Sequence, residues 1–256
     1  TTLGAGAGDV TAVALSSNVA ASSEIYSDVS GVFTADPRIV PEARKLETVS
    51  YEEMLEMAAS GARVLALRAV ELARGHDVRI HARSTFSEEP GTWVQDVAGM
   101  EEPIISAVTH SEDEVLFTLR GVPDRPGVAA AIFEAVAGEH VSVDTILQNA
   151  VHGAAELSFS VPSEDVQPTR RALERAQETI GQIEVEEVGD LGKVSLIGAG
   201  MRSHPGVAAQ MFRTLADEGI NLRLISTSPI KITCLVGSDE VARAVRALHT
   251  RFLGES

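Results

Sequence analysis

The sequence predicts an α/β chain: an incomplete open α/β sheet followed by two intertwined units of the ferredoxin-like βαββαβ pattern. Three observations predict it. Strand-like and helix-like stretches alternate up to about residue 98. Residues 114–149 then lie without a gap on residues 193–228, a shift of 79 positions. Finally, the strand count after residue 103 leaves one strand over at the front and one missing at the back.

The repeat organises the rest. Gly121, Pro126, Gly127, Val128, Ala129, Ala130 and Phe133 fall on Gly200, Pro205, Gly206, Val207, Ala208, Ala209 and Phe212. A copy of this length is a supersecondary unit written twice. Each copy reads as a strand (115–120; 194–199), a polar turn, a helix opened by Pro-Gly, and a second strand (141–147; 220–225). Copy one continues with a strand at 155–161, a helix at 166–180 and a strand at 183–188. Copy two continues with a strand at 230–236 and a helix at 239–252, where the chain stops. Residues 104–109 form a strand with no unit of their own, so the expectation is that they complete the sheet of copy two.

In the first hundred residues, a glycine-rich turn (2–8) and a short helix (9–19) precede a buried strand at 24–29. Residues 32–38 end in Asp36-Pro37-Arg38, where proline enforces an extended approach. Ser50 followed three residues later by Glu53 is a capping box for a helix over 48–58 that continues to Gly61. A second helix is expected at 65–74, ending before Gly75, then a strand at 78–82 and a loop-rich stretch at 88–97.

Composition bounds the function. A length of 256 residues with 44% apolar content supports two or three domains with real cores; aromatics at 4% leave those cores to Ala, Val, Leu and Ile. A net charge of −16 argues against a nucleic-acid partner or an anionic membrane surface. No apolar run spans a bilayer, and no charged-then-apolar leader opens the chain. One cysteine, Cys234, in an apolar run provides neither a disulfide nor a thiolate metal site, which fits a reducing cytoplasm, and no metal site is expected. The chain does not begin with Met, and its glycine-rich start lacks the strand that normally precedes such a turn. The expectation is that the N-terminal part of a larger domain is missing.

The turn 121–127 is the first candidate site. The amides of Gly127, Val128 and Ala129 at a positive helix end suit a carboxylate, and Asp124 suits an ammonium group, together matching a free α-amino acid. The plainer arrangement, with Asp124 only capping the helix, is the commoner one, and both stay open. Gln148 and Asn149 close the facing strand, as Ser226, Thr227 and Ser228 do in copy two; polar side chains there serve a ligand or an ordinary turn equally well. His152, Glu156 and His204 read as solvated loop residues.

At these residues the chain resembles the aspartate kinases. The specific stretches are Glu24-Ile-Tyr-Ser-Asp-Val-Ser-Gly-Val-Phe-Thr-Ala-Asp-Pro-Arg38, Gly61-Ala-Arg-Val-Leu65, Gly198-Ala-Gly-Met-Arg-Ser-His-Pro-Gly206 and the Ile-Ser-Thr-Ser run within 222–228. The combination is similar to the actinobacterial, lysine-sensitive type. The resemblance covers nearly the whole chain. It implies residues 1–98 as the C-terminal part of an amino-acid-kinase catalytic domain, 112–190 as a first ACT domain, and 103–111 plus 191–256 as a second.

It further implies transfer of the ATP γ-phosphoryl to the β-carboxylate of L-aspartate, with Mg²⁺ as cofactor. Ser27, Asp28, Phe33, Asp36 and Arg38 match the nucleotide pocket, and Arg63 stands where a lysine is usual. Of the family's Arg-Gly-Gly-Ser-Asp substrate motif, Ala5-Gly-Ala-Gly-Asp9 keeps only Asp9 as a catalytic residue. The isolated chain is therefore expected not to be a competent kinase. Asp124, Pro126, Gly127, Val128, Ala129, Gln148 and Asn149 match positions that bind an inhibitory amino acid, L-threonine and/or L-lysine. Val207, Ala208, Ile220, Asn221 and Ser226, Thr227, Ser228 match the facing wall. Ala208 replaces a usual threonine, and Pro229 a usual glutamate. Such sites form between subunits, implying a homodimer, within an α2β2 assembly in this type. The competing reading is a structural dimerisation module with a degenerate effector site.

Overall fold

A computed structural model describes residues 6–97, 103–151 and 153–254; part of the turn expected at 2–8, and His152, lie outside them. The chain divides into two compact units. One comprises Thr1–Ser111, Val194–Val236 and Glu240–Ser256; the other comprises Glu112–Lys193 and Gly237–Asp239.

The first unit opens with α1 (Ala7–Asn18), β1 (Ser23–Ser27), β2 (Thr48–Ser50), α2 (Tyr51–Ala59), α3 (Leu67–His76), β3 (Ile80–Ser84) and β4 (Thr92–Gln95). The strands order as β1-β3-β4-β2, with β1 parallel to β3, β2 parallel to β4, and β3 antiparallel to β4. Val13, Ile25, Met54, Met57, Val70, Ile80 and Val94 form its core. The capping box forms as read: Ser50 Oγ accepts from the Glu53 N–H at 3.2 Å, and the Glu53 carboxylate accepts from the Ser50 N–H at 3.4 Å.

Several boundaries differ from expectation. The strand expected at 24–29 is not buried throughout: β1 alternates, and Val29 lies beyond it, exposed. The second helix does not stop before Gly75; it runs to His76 and ends on Asp77 in the left-handed region. The loop-rich stretch contains β4, whose Thr92 and Val94 are buried against the sheet core. Period-two alternation over only four residues is too short a signal to see beside glycine and proline.

The remaining elements are β5 (Ala107–Pro123), α4 (Val128–Gly138), β6 (Ile146–Val151), β7 (Ala154–Pro162), α5 (Val166–Ile180), β8 (Glu184–Ile197), α6 (Val207–Asp217), β9 (Leu224–Ser228), β10 (Lys231–Gly237) and α7 (Val241–Leu253). Two pairs of expected strands are each one strand: 104–109, from Ala107 on, joins 115–120 in β5, and 184–188 joins 194–197 in β8, which stops at Ile197. Ser111-Glu112-Asp113 contains turn-prone Ser and Asp but neither Gly nor Pro, and β5 runs through it; Asp190 absorbs a local irregularity at φ 53 without breaking β8. The strands expected at 141–147 and 220–225 begin late, at Ile146 and Leu224. Val141 and Ile220 are apolar because they plug the cores, not because they pair.

In the second unit the strand order is β6-β7-β5-β8, with α4 and α5 packed together. Phe117 and Phe159, registered partners across β5 and β7, stack at 5.6 Å, and Phe133 meets Phe159 edge-on. In the first unit the order β5-β8-β10-β9 backs a second core of Leu196, Met211, Leu215, Val236, Val245 and Leu248, which also takes in Ala35 and Val40. Just ahead of β5, the Ser106 N–H donates to Ile197 O, at the end of β8, at 2.7 Å.

Candidate functional site

The turn between β5 and α4 opens a cavity of about 340 Å³. Asp124, Pro126, Gly127, Val128, Ala129 and Gln148 all line it, joined by Val122, Pro123, Arg125, Ala155 and Leu157, which the sequence alone did not mark. The wall exists because the chain leaves β5 at Pro123 and enters α4 through Gly127 at φ 93, a left-handed conformation that glycine adopts without strain. No side chain caps α4, so the arrangement with Asp124 as a cap is not the one formed; its carboxylate lies exposed on the cavity. One of the three expected amide donors is turned inward: the Val128 N–H donates to Arg125 O at 3.4 Å. Gly127 and Ala129 remain as the donors for a carboxylate. Asn149, unlike Gln148, does not line the cavity, because neighbouring residues on β6 point to opposite faces.

The matching turn of the second copy is built differently. Gly206 enters α6 at φ 100, as Gly127 enters α4. Gly198 and Gly200, however, lie flush on the backbone of Pro103–Ile105, with no room for a Cβ, and the Gly200 N–H donates to Pro103 O at 3.2 Å. Gly121, which matches Gly200, has open space. Val207 and Ile220 are buried core residues, and Ala208 packs partly against that core. Asn221 Oδ1 accepts from the Leu222 N–H at 3.1 Å, and Ser228 Oγ from the Ile230 N–H at 3.4 Å. Ser226 and Thr227 sit on β9, opposite Thr233 and Ile232 of β10.

In the sheet of β1 to β4, β1 and β3 run parallel, so their carboxyl ends share an edge, where open α/β sheets bind ligands. Ser27 and Asp28 are at that edge, and the Thr85 N–H donates to Ser27 O at 2.8 Å. Phe33 bridges to Lys45. Asp36 accepts from Arg38 Nη2 at 2.6 Å and from the Arg38 N–H at 2.9 Å, bonds that hold its carboxyl below the usual range against partial desolvation. Arg63 is exposed, just after α2. Asp9 braces helices: its Oδ2 accepts from the N–H of Ala66, the residue that opens α3, at 3.1 Å. Cys234 is fully buried, and burial pushes its thiol up to about 12. Among the described residues no group of three or more His, Cys, Asp or Glu could hold a metal ion.

The sequence reading missed one polar cluster. Lys193, in β8, meets Glu114 of β5 at 3.1 Å and Asp144 at 2.6 Å; Lys193 and Glu114 are both 5% exposed. Burial pulls the Lys193 ammonium down, yet the two carboxylates outweigh it and hold it above its ordinary value. A signal was present: Glu114 and Lys193 are the first matched pair of the repeat, opposite in charge at the head of apolar strands.

Comparison with known proteins assigns these parts. Residues 1–84 match the amino acid kinase family, and residues 117–181 and 194–252 each match the ACT domain. The class is thus an amino-acid-kinase segment joined to paired ACT domains. The aspartokinase of Mycolicibacterium smegmatis is 49% identical over 260 residues, covering 98% of this chain and 62% of that protein. A structure of aspartokinase alpha and beta subunits is 42% identical, with a TM-score of 0.54, over 58% of this chain and 98% of that one. E. coli aspartokinase III, in complex with aspartate and ADP, has a TM-score of 0.86 at 27% identity, covering all of this chain and 57% of that one; its complex with lysine and aspartate has 0.76 at 28%, over 99% and 57%. The chain belongs to the aspartokinase family, and it spans about 62% of the length of the curated relatives it matches.

Proposed function

We propose that this chain is the feedback-regulated part of an aspartate kinase, the whole protein transferring the γ-phosphoryl of ATP to the β-carboxylate of L-aspartate to give 4-phospho-L-aspartate. The carrying observation is the cavity at the head of α4, which sets Asp124 beside amide donors at a helix N-terminus. A free α-amino acid satisfies both at once, its ammonium on Asp124 and its carboxylate on the amides of Gly127 and Ala129. Gln148 and the apolar wall of Val122, Ala155 and Leu157 would then receive the side chain. We assign L-threonine and/or L-lysine as the effector; the complex of E. coli aspartokinase III with lysine supports an amino-acid effector in the family.

For the nucleotide, Ser27 and Asp28 supply a hydroxyl and a carboxylate at the carboxyl edge of a parallel strand pair, and Arg63, exposed after α2, would add a guanidinium, a set of groups that fits a magnesium nucleotide. Magnesium, carried in with ATP, would neutralise phosphate charge there. A homodimer is supported by apolar edges: β6 and β9 end their sheet and leave Ile146 54%, Leu147 43% and Ile225 42% exposed. An α2β2 assembly and a cytoplasmic location belong to the same reading.

Calorimetric titration with threonine and with lysine tests it. Binding by the unaltered chain, weakened about tenfold or more in Asp124→Ala, is the expected result, since a charged hydrogen-bond partner is lost. Heat from neither amino acid at millimolar concentration would leave the structural dimerisation module as the better reading.

A further inference from the structure

Glu53 does more than a capping box requires. Its side chain is buried, 4% exposed, and both oxygens are used. Oε2 serves α2 itself, accepting from the Ser50 N–H at 3.4 Å and Ser50 Oγ at 2.8 Å. Oε1 serves a different part of the unit, accepting from Ser106 Oγ at 2.5 Å and from the Ala199 N–H at 3.1 Å. Capping needs only the first pair. One turn along the same face, Glu56 pairs with Lys231 at 2.9 Å, again with the second repeat. At the far end of α2, Gly61 turns at φ 108 and lies directly on the backbone carbonyl of His110, where any Cβ would collide. Buried carboxylates and zero-clearance glycines are costly unless each is matched, and every match here falls on the second repeat or on the strand leading into its sheet. Arg63 follows two residues after Gly61.

We infer that α2 is a lever held along its first turns by the second repeat and at its far end by β5, and that Glu53 and Gly61 are positioning residues for Arg63. The second repeat's turn is thus occupied internally: where the first copy leaves an open cavity, the second has Pro103–Ile105 along its glycines and a carboxylate of α2 on its Ala199 amide. The first copy binds the effector and the second holds the nucleotide-side cation in place. This rests on the nucleotide reading of Arg63 given above.

The test uses the full 256-residue chain. In Glu53→Gln, one acceptor becomes an N–H donor facing other donors. Ser106→Ala removes one docking bond, leaves the capping box whole, and carries the test if the first variant does not fold. Amide hydrogen exchange followed by mass spectrometry should accelerate about tenfold at residues 62–66 in Glu53→Gln, and in the same direction in Ser106→Ala with residues 51–54 unchanged. Magnesium–ADP titration should show about tenfold weaker binding for Glu53→Gln, and no further weakening when Arg63→Ala is already present. A change confined to residues 50–54, or equal weakening with and without Arg63, would overturn the positioning role. Failure of the unaltered chain to bind magnesium–ADP would instead overturn the nucleotide reading of Arg63, while exchange at 62–66 still decides whether the second repeat holds α2.

Discussion

Gly127 and Gly206 open their helices at φ 93 and φ 100, with nothing within 4 Å of a would-be Cβ. Space is no obstacle there; conformation is. Replacing either by alanine should cost about 1–2 kcal/mol, the penalty of a left-handed L-residue, readable as a lower midpoint in urea. His249 makes a different point. Its ring is buried on α7, with Nε2 hydrogen-bonded to Thr34 Oγ1 at 2.9 Å, a hydroxyl that also accepts from the Arg44 N–H. Burial, and then Arg44, hold the imidazole below its ordinary 6.5, with Glu42 opposing. A base with a depressed folded value resists protonation only when folded. Its contribution is therefore full above 6.5 and is lost as the pH falls below 6.5 through the folded value. Thermal stability should fall across that window, and less steeply in His249→Asn; parallel slopes would contradict the assignment.

At the scale of elements, the Lys193 cluster decides how β5 and β8 are matched. Repeat-equivalent residues face each other there, and identical charges at such positions would repel; Glu114 and Lys193 attract instead. Removing one partner strands a buried charge. Lys193→Met should destabilise the chain by about 3 kcal/mol, and adding Glu114→Leu should restore much of that, since an apolar pair can replace a buried ion pair. Chemical denaturation of the two variants measures it; equal loss in both would mean that packing rather than charge governs this crossing.

For the whole molecule, a net charge of −16 opposes association, and the proposed dimer would be held by the exposed apolar residues of β6 and β9. An effector that binds one arrangement better than another shifts their balance only by that difference in affinity. Sedimentation with threonine, and separately with lysine, should move the chain toward a dimer, and Ile146→Glu should reverse the shift without abolishing binding at Asp124. A monomer under all of these conditions would count against subunit pairing.

What the chain's letters determined alone was local or duplicated. The capping box at Ser50–Glu53, the helix Val166–Ile180 and the paired Pro-Gly helix starts were legible because each depends on neighbours within a turn or on a copy to compare with. Six cavity residues at the head of α4 were named for the same reason. Only the tertiary structure decided that 107–109 and 115–120 are one strand, that Asn149 faces away from the cavity, that the second copy's turn is covered by residues 103–105, and that Glu53 is shared between α2 and Ala199. Each of those outcomes turns on which distant backbone arrives at a given amide or carboxylate. Local periodicity has no term for a partner that lies far along the chain, so packing had the last word.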